Sequence, residues 1–295
     1  MIAVMGATGN TGKLVAERLL AAGEKVRVLG RSAERVKPFV ERGAEAAVGE
    51  VSDRAYLTSA LRGAEAAYTL LPPNYTTSDY LGYYQAIGEA TAQAIRESGV
   101  RRAVFLSSLG AEIPSGTGPI AGLHDQEERL KTIGGIDLLL LRPGYFFENH
   151  FGTLGLIKHQ GLNGGAIEPG VPIAMIAAHD IGEAAAEALR KRDFSGVVVR
   201  ELLGPRDLTM AQATRILGEK IGKPDLQYLR FADEDFLKSL VQAGFSPKVG
   251  RLFVEMSRAL NQGKVRSLEG RNPRNTTATT FESFAEELAG AYRAM

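Results

Sequence analysis

The first thirty-one residues leave this chain few folds to choose from. Ile2 to Met5 is a short apolar run, followed at once by Gly6-Ala7-Thr8-Gly9-Asn10-Thr11-Gly12 and by an amphipathic segment to Ala22. Within that segment Gly12, Val15, Ala16 and Leu19 fall at i, i+3, i+4 and i+7, the spacing of one buried helix face. Gly23 stands where a helix C-terminus favours a residue free to adopt positive φ. Lys25 to Leu29 is again apolar and β-branched, ending at Gly30-Arg31. Strand, glycine turn, helix and strand in this order form the first βαβ unit of a dinucleotide-binding fold.

The glycines divide the work. Gly6 turns the chain sharply off the strand, Gly9 lets backbone N–H groups approach a pyrophosphate, and Gly12 lets the helix pack close to the strand. The first helical turn offers unpaired N–H groups and a positive dipole end, with Thr8, Asn10 and Thr11 as side-chain donors. When the ligand is NAD, this motif carries an acidic residue at the end of the second strand, about 20 residues past the glycines. Here that end reads Gly30-Arg31-Ser32, with no carboxylate. A guanidinium matches a 2′-phosphate by paired, charge-assisted hydrogen bonds, so Arg31 points to NADPH over NADH, with Lys37 a possible helper. The plainer alternative is a solvated arginine opening a loop.

Strands and helices then alternate. Ser32 caps a second helix to about Arg42, which Pro38 is expected to break or restart, and Ala44 to Val48 is a strand. Asp53 caps a helix to about Leu61, Ala66 to Leu71 is a strand stopped by Pro72-Pro73, and Asp79 to Ser98 is a long helix. Arg102 to Ser107 is an apolar strand suited to burial on both faces. Leu109 to Gly122, rich in Gly, Pro and Ser, reads as a mobile loop, followed by a charged helix over Leu123–Thr132. A strand over Asp137–Leu141 is ended by Arg142-Pro143. The fold class is α/β, a doubly wound parallel sheet (Rossmann) with right-handed crossovers.

Ligands of such sheets bind beyond the carboxyl ends of the strands. Topology therefore nominates, besides Gly6 to Gly12 and Arg31, the residues Glu50, Val51, Leu71, Pro72, Ser107, Ser108, Pro143 and Gly144 for the cofactor. Beyond Gly144 the alternation loosens, and 151–295 is expected to form a smaller α/β substrate-side domain closing over the nicotinamide end of a 1–150 cofactor domain. Gly161, Gly164, Gly165 and Gly170 mark loops, and Asp180 opens a helix to about Arg190. About 179–203 is expected to return to the main sheet through a strand at Val197–Leu203.

The net charge of +1 gives no reason to expect nucleic acid or an anionic membrane as partner. The absence of cysteine excludes disulfides, thiolate catalysis and cysteine-ligated metal. With no apolar run near the ~20 residues of a membrane helix, and a first strand at residue 2, the expected location is the cytoplasm, as monomer or homodimer.

Many reductases of this fold use a tyrosine proton donor with a lysine four residues on. None of the nine tyrosines has a lysine at i+4, which counts against sugar-nucleotide epimerase and ordinary ketone-reductase chemistry. His124 follows the loop after the fifth strand, with Glu128 four residues on. The two either orient each other on one helix face or are a helix-start histidine and a solvated glutamate. Asp125, Glu127 and Glu128 read as a solvated face. No zinc motif occurs, and Ser107-Ser108 lack a nucleophile elbow. The serines are placed to hydrogen-bond near the nicotinamide ribose. Tyr145, Phe146 and Phe147 follow the sixth strand, either stacking on a flat acceptor or joining the core, and Tyr75, Tyr80, Tyr83 and Tyr84 are candidates to face the same cleft. His124 and Tyr145 are the catalytic candidates.

The chain resembles the NmrA-like branch of the atypical short-chain dehydrogenase/reductases. The resemblance rests on Gly6 to Gly12, Leu106-Ser107-Ser108, His124 with Glu128, the run Leu141-Arg142-Pro143-Gly144-Tyr145-Phe146-Phe147-Glu148-Asn149, and Leu203-Gly204-Pro205 with Leu208-Thr209. It implies NADP(H) binding, with Arg31 at the phosphate and Tyr145 to Asn149 beside the nicotinamide. It also implies one of two activities: reduction of quinones or aromatic dyes, or non-catalytic sensing of NADP(H) through a protein partner.

Overall fold

The computed structural model describes residues 1–295. In chain order the first half is β1 (Ile2–Val4), α1 (Asn10–Ala21), β2 (Val26–Gly30), α2 (Ala33–Val40), β3 (Glu45–Val48), α3 (Arg54–Leu61), β4 (Ala66–Thr69), α4 (Tyr80–Ser98), β5 (Arg102–Leu106), α5 (Ile120–Lys131) and β6 (Asp137–Pro143). There follow β7 (Tyr145–Phe146), a 3₁₀ turn (Phe147–Thr153), α6 (Leu154–Gln160), β8 (Asn163–Gly165), β9 (Ile173–Ile176), α7 (Ala178–Lys191), β10 (Val197–Leu202) and β11 (Asp207–Leu208). The chain ends with α8 (Met210–Lys220), β12 (Tyr228–Arg230), α9 (Asp233–Gln242), α10 (Pro247–Asn261) and α11 (Phe281–Ala294). None of these helices is long and apolar enough to cross a membrane.

The main sheet has seven parallel strands in the order β10-β6-β5-β4-β1-β2-β3, the doubly wound topology the alternation predicts. Successive residues of β1 face opposite layers. Ile2 and Val4 pack with Val15 and Leu19 of α1 and Ile181 of α7, while Ala3 and Met5 pack with Leu57 of α3 and Ile87 of α4. The switch point falls at β1, whose neighbours β2 and β4 lead the chain away in opposite directions. Although β10 and α7 come late in the chain, β10 pairs with β6 and α7 packs in the same layer as α1.

A third core, around Phe147, Met175, Leu217, Phe281 and Leu288, holds the remaining helices over the strand ends. Two small sheets frame it, β11-β9-β7 and β12-β8. Asn163 to Gly165, expected as loop, thus form a strand, because β12 supplies a parallel partner.

Three further expectations need correction. Pro38 does not break α2, because its missing N–H forfeits one bond to an exposed turn that water can satisfy, and the helix ends two residues on. Arg142 does not end its strand but lies buried within β6. The loop after β5 is shorter and more closely packed than predicted, since Ile120 already opens α5. Leu109, Ala111, Thr117 and Pro119 in it are buried, and a Cβ on Gly118 would lie 2.0 Å from the Leu252 carbonyl oxygen of α10. α10 clamps this loop.

Candidate active site

Residues at or just past the ends of β1 to β6 close around one cavity of about 610 Å³. Gly6, Thr8, Gly9, Asn10, Thr11, Gly12, Arg31, Glu50, Val51, Leu71, Pro72, Ser107, Ser108, Pro143, Gly144, Tyr145 and Phe146 all border it. β9 and α10 close the remaining side with Ile173, Ala174, Phe253, Met256 and Leu260.

One end is built for phosphate. Gly6 adopts a φ of 65°, and a Cβ on Gly12 would lie 2.3 Å from the Gly6 carbonyl oxygen, so the first turn of α1 sits directly against the β1 turn. α2, α3 and α4 are each capped by a side chain, Ser32, Asp53 and Asp79 respectively. α1 has neither a side-chain cap nor an acidic residue in its first turn, and the N–H groups of Asn10, Thr11 and Gly12 have no partner within the protein. Such a helix start suits a pyrophosphate.

Arg31 stands exposed at the rim, and Arg35 joins it one turn into α2, its guanidinium donating to the Thr8 carbonyl at 3.2 Å. Lys37 does not help. It faces Glu41 at 3.7 Å and lies outside the cavity lining, because on α2 it stands two residues past Arg35 and so points to a different face. Arg35, in the first turn of the helix that Ser32 caps, was readable from the sequence. Arg31 and Glu50 both act on the Tyr83 phenol, whose pKa burial raises, Arg31 lowers and Glu50 raises.

The middle of the cavity rests on a buried ionic network. The Ser107 hydroxyl donates to Glu127 Oε1 at 2.6 Å, and Arg142 donates to the same carboxylate from Nε at 2.9 Å and Nη2 at 2.6 Å. Arg142 Nη1 donates to Glu112 at 3.0 Å. Burial alone would lower the Arg142 pKa, but the bonds to Glu127 and the fields of Glu112 and Glu201 outweigh it and hold the guanidinium charged. Glu127 is therefore not on the solvated face predicted for it. Only Asp125 and Glu128 are exposed. The signal was present on both elements: Glu127 lies on the same stripe as Ile120, Leu123 and Leu130, and Arg142 ends a run of four leucines.

His124 is not brought to the cavity. Ile120 and Leu123 of α5 line it, whereas the His124 ring turns aside, Nδ1 lying 2.8 Å from the Ala111 carbonyl oxygen. Glu128 does not orient it either, being paired with Lys131 at 2.7 Å. Of the aromatic triplet, Tyr145 and Phe146 border the cavity, but Phe147 is buried against Phe281 and Phe284. Burial pushes the Tyr145 phenol up to about 12, against a hydrogen bond with the Asn149 side chain, which also lines the cavity. Tyr75, Tyr83 and Tyr84 reach the cavity, while Tyr80 does not, its hydroxyl donating to the Tyr84 oxygen at 2.8 Å. The wall from α10 was not foreseen, although Phe253, Met256 and Leu260 are spaced i, i+3, i+7.

The NmrA-like family model matches residues 1–285, and the chain belongs to that family. It is 30% identical over 299 residues to a (4-alkanoyl-5-oxo-2,5-dihydrofuran-3-yl)methyl phosphate reductase of Streptomyces griseus, covering 97% of this chain and 100% of that protein. Among solved structures it is similar to an NADPH-dependent quinone oxidoreductase of Escherichia coli in complex with NADPH, with a TM-score of 0.83, 24% identity and coverage of 98% and 99% of the two chains. It is also similar to the triphenylmethane reductase of a Citrobacter species in complex with NADP(H), with a TM-score of 0.82, 21% identity and coverage of 98% and 100%.

Proposed function

We propose that this protein is an NADPH-dependent reductase that passes hydride to a flat, conjugated acceptor such as a quinone or an aromatic dye. The observation carrying the reading is the two-ended cavity, with a phosphate-type helix start and two guanidiniums at one end and an aromatic, apolar wall at the other. The names of the Streptomyces, Escherichia and Citrobacter relatives, all reductases or oxidoreductases, support it.

The residues fit NADPH. In this reading Asn10, Thr11 and Gly12 N–H groups hold the pyrophosphate, Arg31 and Arg35 the 2′-phosphate, and Pro143 to Phe146 flank the nicotinamide. When bound, the cofactor supplies the hydride and leaves oxidised, and the acceptor takes that hydride together with a proton from water. The protein's contribution is to orient the partners and exclude competing solvent.

Tyr145 stays protonated at neutral pH and offers its hydroxyl as a hydrogen-bond donor to the acceptor oxygen as charge develops there. Ser107 does not do so, because its proton is given to Glu127. A quinone spreads incoming charge over its ring, so a neutral donor suffices where a ketone would need a stronger acid.

The test is NADPH absorbance decay with purified protein and a panel of quinones and dyes, with NADH run alongside. The reading predicts saturable decay with at least one acceptor, faster with NADPH. Tight NADPH binding without decay across the panel would overturn it in favour of a sensor.

A further inference from the structure

The charged groups bordering the cavity are confined to one end. Arg31, Arg35 and Glu50 are the only three, all following β2 or β3. The far wall consists of Leu109, Leu123, Ile173, Phe253, Met256 and Leu260, without a charge among them. We infer that the acceptor end of this cavity admits acceptors without an anionic group and rejects phosphorylated, sulfonated and carboxylated ones. The inference rests on the reductase reading and narrows its substrate class.

The nearby guanidinium, helix start and serine hydroxyls are already committed. The start of α5 reaches the cavity at Ile120, but the N–H groups of Ile120, Ala121 and Gly122 bond the carbonyls of Thr117, Gly118 and Pro119 at 3.4, 3.2 and 3.2 Å. That helix start is closed to anions. Arg142, beneath the cavity floor, is bound by the carboxylates of Glu127 and Glu112. The Ser107 and Ser108 hydroxyl protons go to Glu127 and to the Leu109 carbonyl.

The hydroxyls of Tyr75, Tyr83, Tyr84 and Tyr145 and the Asn149 amide remain as donors, all neutral, and none supplies the positive charge needed to replace the hydration of a sulfonate or phosphate. Tyr75, Tyr145 and Phe253 border the cavity as uncharged aromatics that do not repel a cation, so the discrimination acts on negative charge. In this the site differs from what the name of the Streptomyces relative requires, which includes a phosphate ester.

The test compares a naphthoquinone with its ring-sulfonated analogue at saturating NADPH. The sulfonate withdraws electrons and makes the ring a better hydride acceptor, so intrinsic reactivity runs against the predicted preference. The inference predicts kcat/KM at least about a hundredfold lower for the sulfonate, the order expected for burying one unpaired anion. Met256→Arg should raise kcat/KM for the sulfonate at least about tenfold, and Met256→Leu should retain the wild-type discrimination. Comparable kcat/KM for the two quinones in the wild type overturns the inference alone. NADPH left unconsumed with both overturns the reductase reading and the inference with it. The wild-type ratio decides even where Met256→Arg fails to fold.

Discussion

At the scale of single residues the proposed reaction rests on Arg31, Arg35 and Tyr145, which border the cavity, and not on His124, which lies outside its lining. The His124 ring is bonded to a backbone carbonyl and lies outside the cavity lining, so His124→Ala should keep kcat/KM within about threefold of wild type in the quinone assay. Tyr145→Phe should lower kcat/KM about tenfold, the value of one hydrogen bond that strengthens as charge develops, with KM for NADPH little changed. Much of this was readable. The position of Arg31 at the end of the second strand follows from the motif, and Tyr145 from the strand before it. His124 was misplaced because a helix presents its stripe to within one residue, and Leu123 rather than His124 falls on the cavity side. Lys37 was misplaced because residues two apart on α2 point to different faces, and Arg35 takes the cavity side.

At the scale of elements, α5 and β6 are joined by charges that neither displays alone. Glu127 sits on an apolar helix stripe and Arg142 in an apolar strand, and each is the other's main partner there. Glu127→Ala should destabilise the fold by about 3–5 kcal/mol in urea titration, because it leaves a buried guanidinium short of its main partner. A Glu127→Leu, Arg142→Met double variant should recover part of that loss, since no fully buried charge is left unpaired and only the half-buried Glu112 loses its partner. Sequence patterning marks such residues as breaks in an apolar face, but it cannot show that two breaks meet.

The 3₁₀ turn holds a second buried polar group. His150 packs on Phe281 with ring centroids 4.9 Å apart, its Nε2 has no partner, and burial lowers its pKa from 6.5 to about 4. The unfolded chain therefore binds this proton more readily than the native one. The contribution to stability is complete above about pH 6.5 and is lost as pH falls through the window to about 4, amounting to about 3 kcal/mol. His150→Phe should flatten that part of the stability profile, read as denaturation midpoint against pH.

At the scale of the whole molecule, the site belongs to both parts of the chain. The β1 to β6 ends supply the phosphate end and floor, while β9 and α10 supply the apolar wall. The parallel sheet was legible because strand and amphipathic helix alternate along the chain, with side-chain caps marking the starts of α2, α3 and α4. The wall was not, because α10 reaches the cavity through contacts distant in sequence. Its N-cap Ser246 is tied to the Tyr75 and Thr77 carbonyls, and Tyr75 stacks on Phe245 at 4.5 Å. Those contacts set the width of the cleft over the strand ends, which local spacing does not encode.

The central claim is that this cavity selects NADPH by its 2′-phosphate and spends it on an acceptor. The most direct measurement is kcat/KM for NADPH and for NADH with one quinone, in the wild type and in an Arg31→Ala, Arg35→Ala double variant. Two charge-assisted contacts predict a wild-type preference for NADPH of at least about a hundredfold, falling to within about fivefold in the double variant. Equal use of the two cofactors by the wild type, or a preference that survives loss of both arginines, would contradict the account.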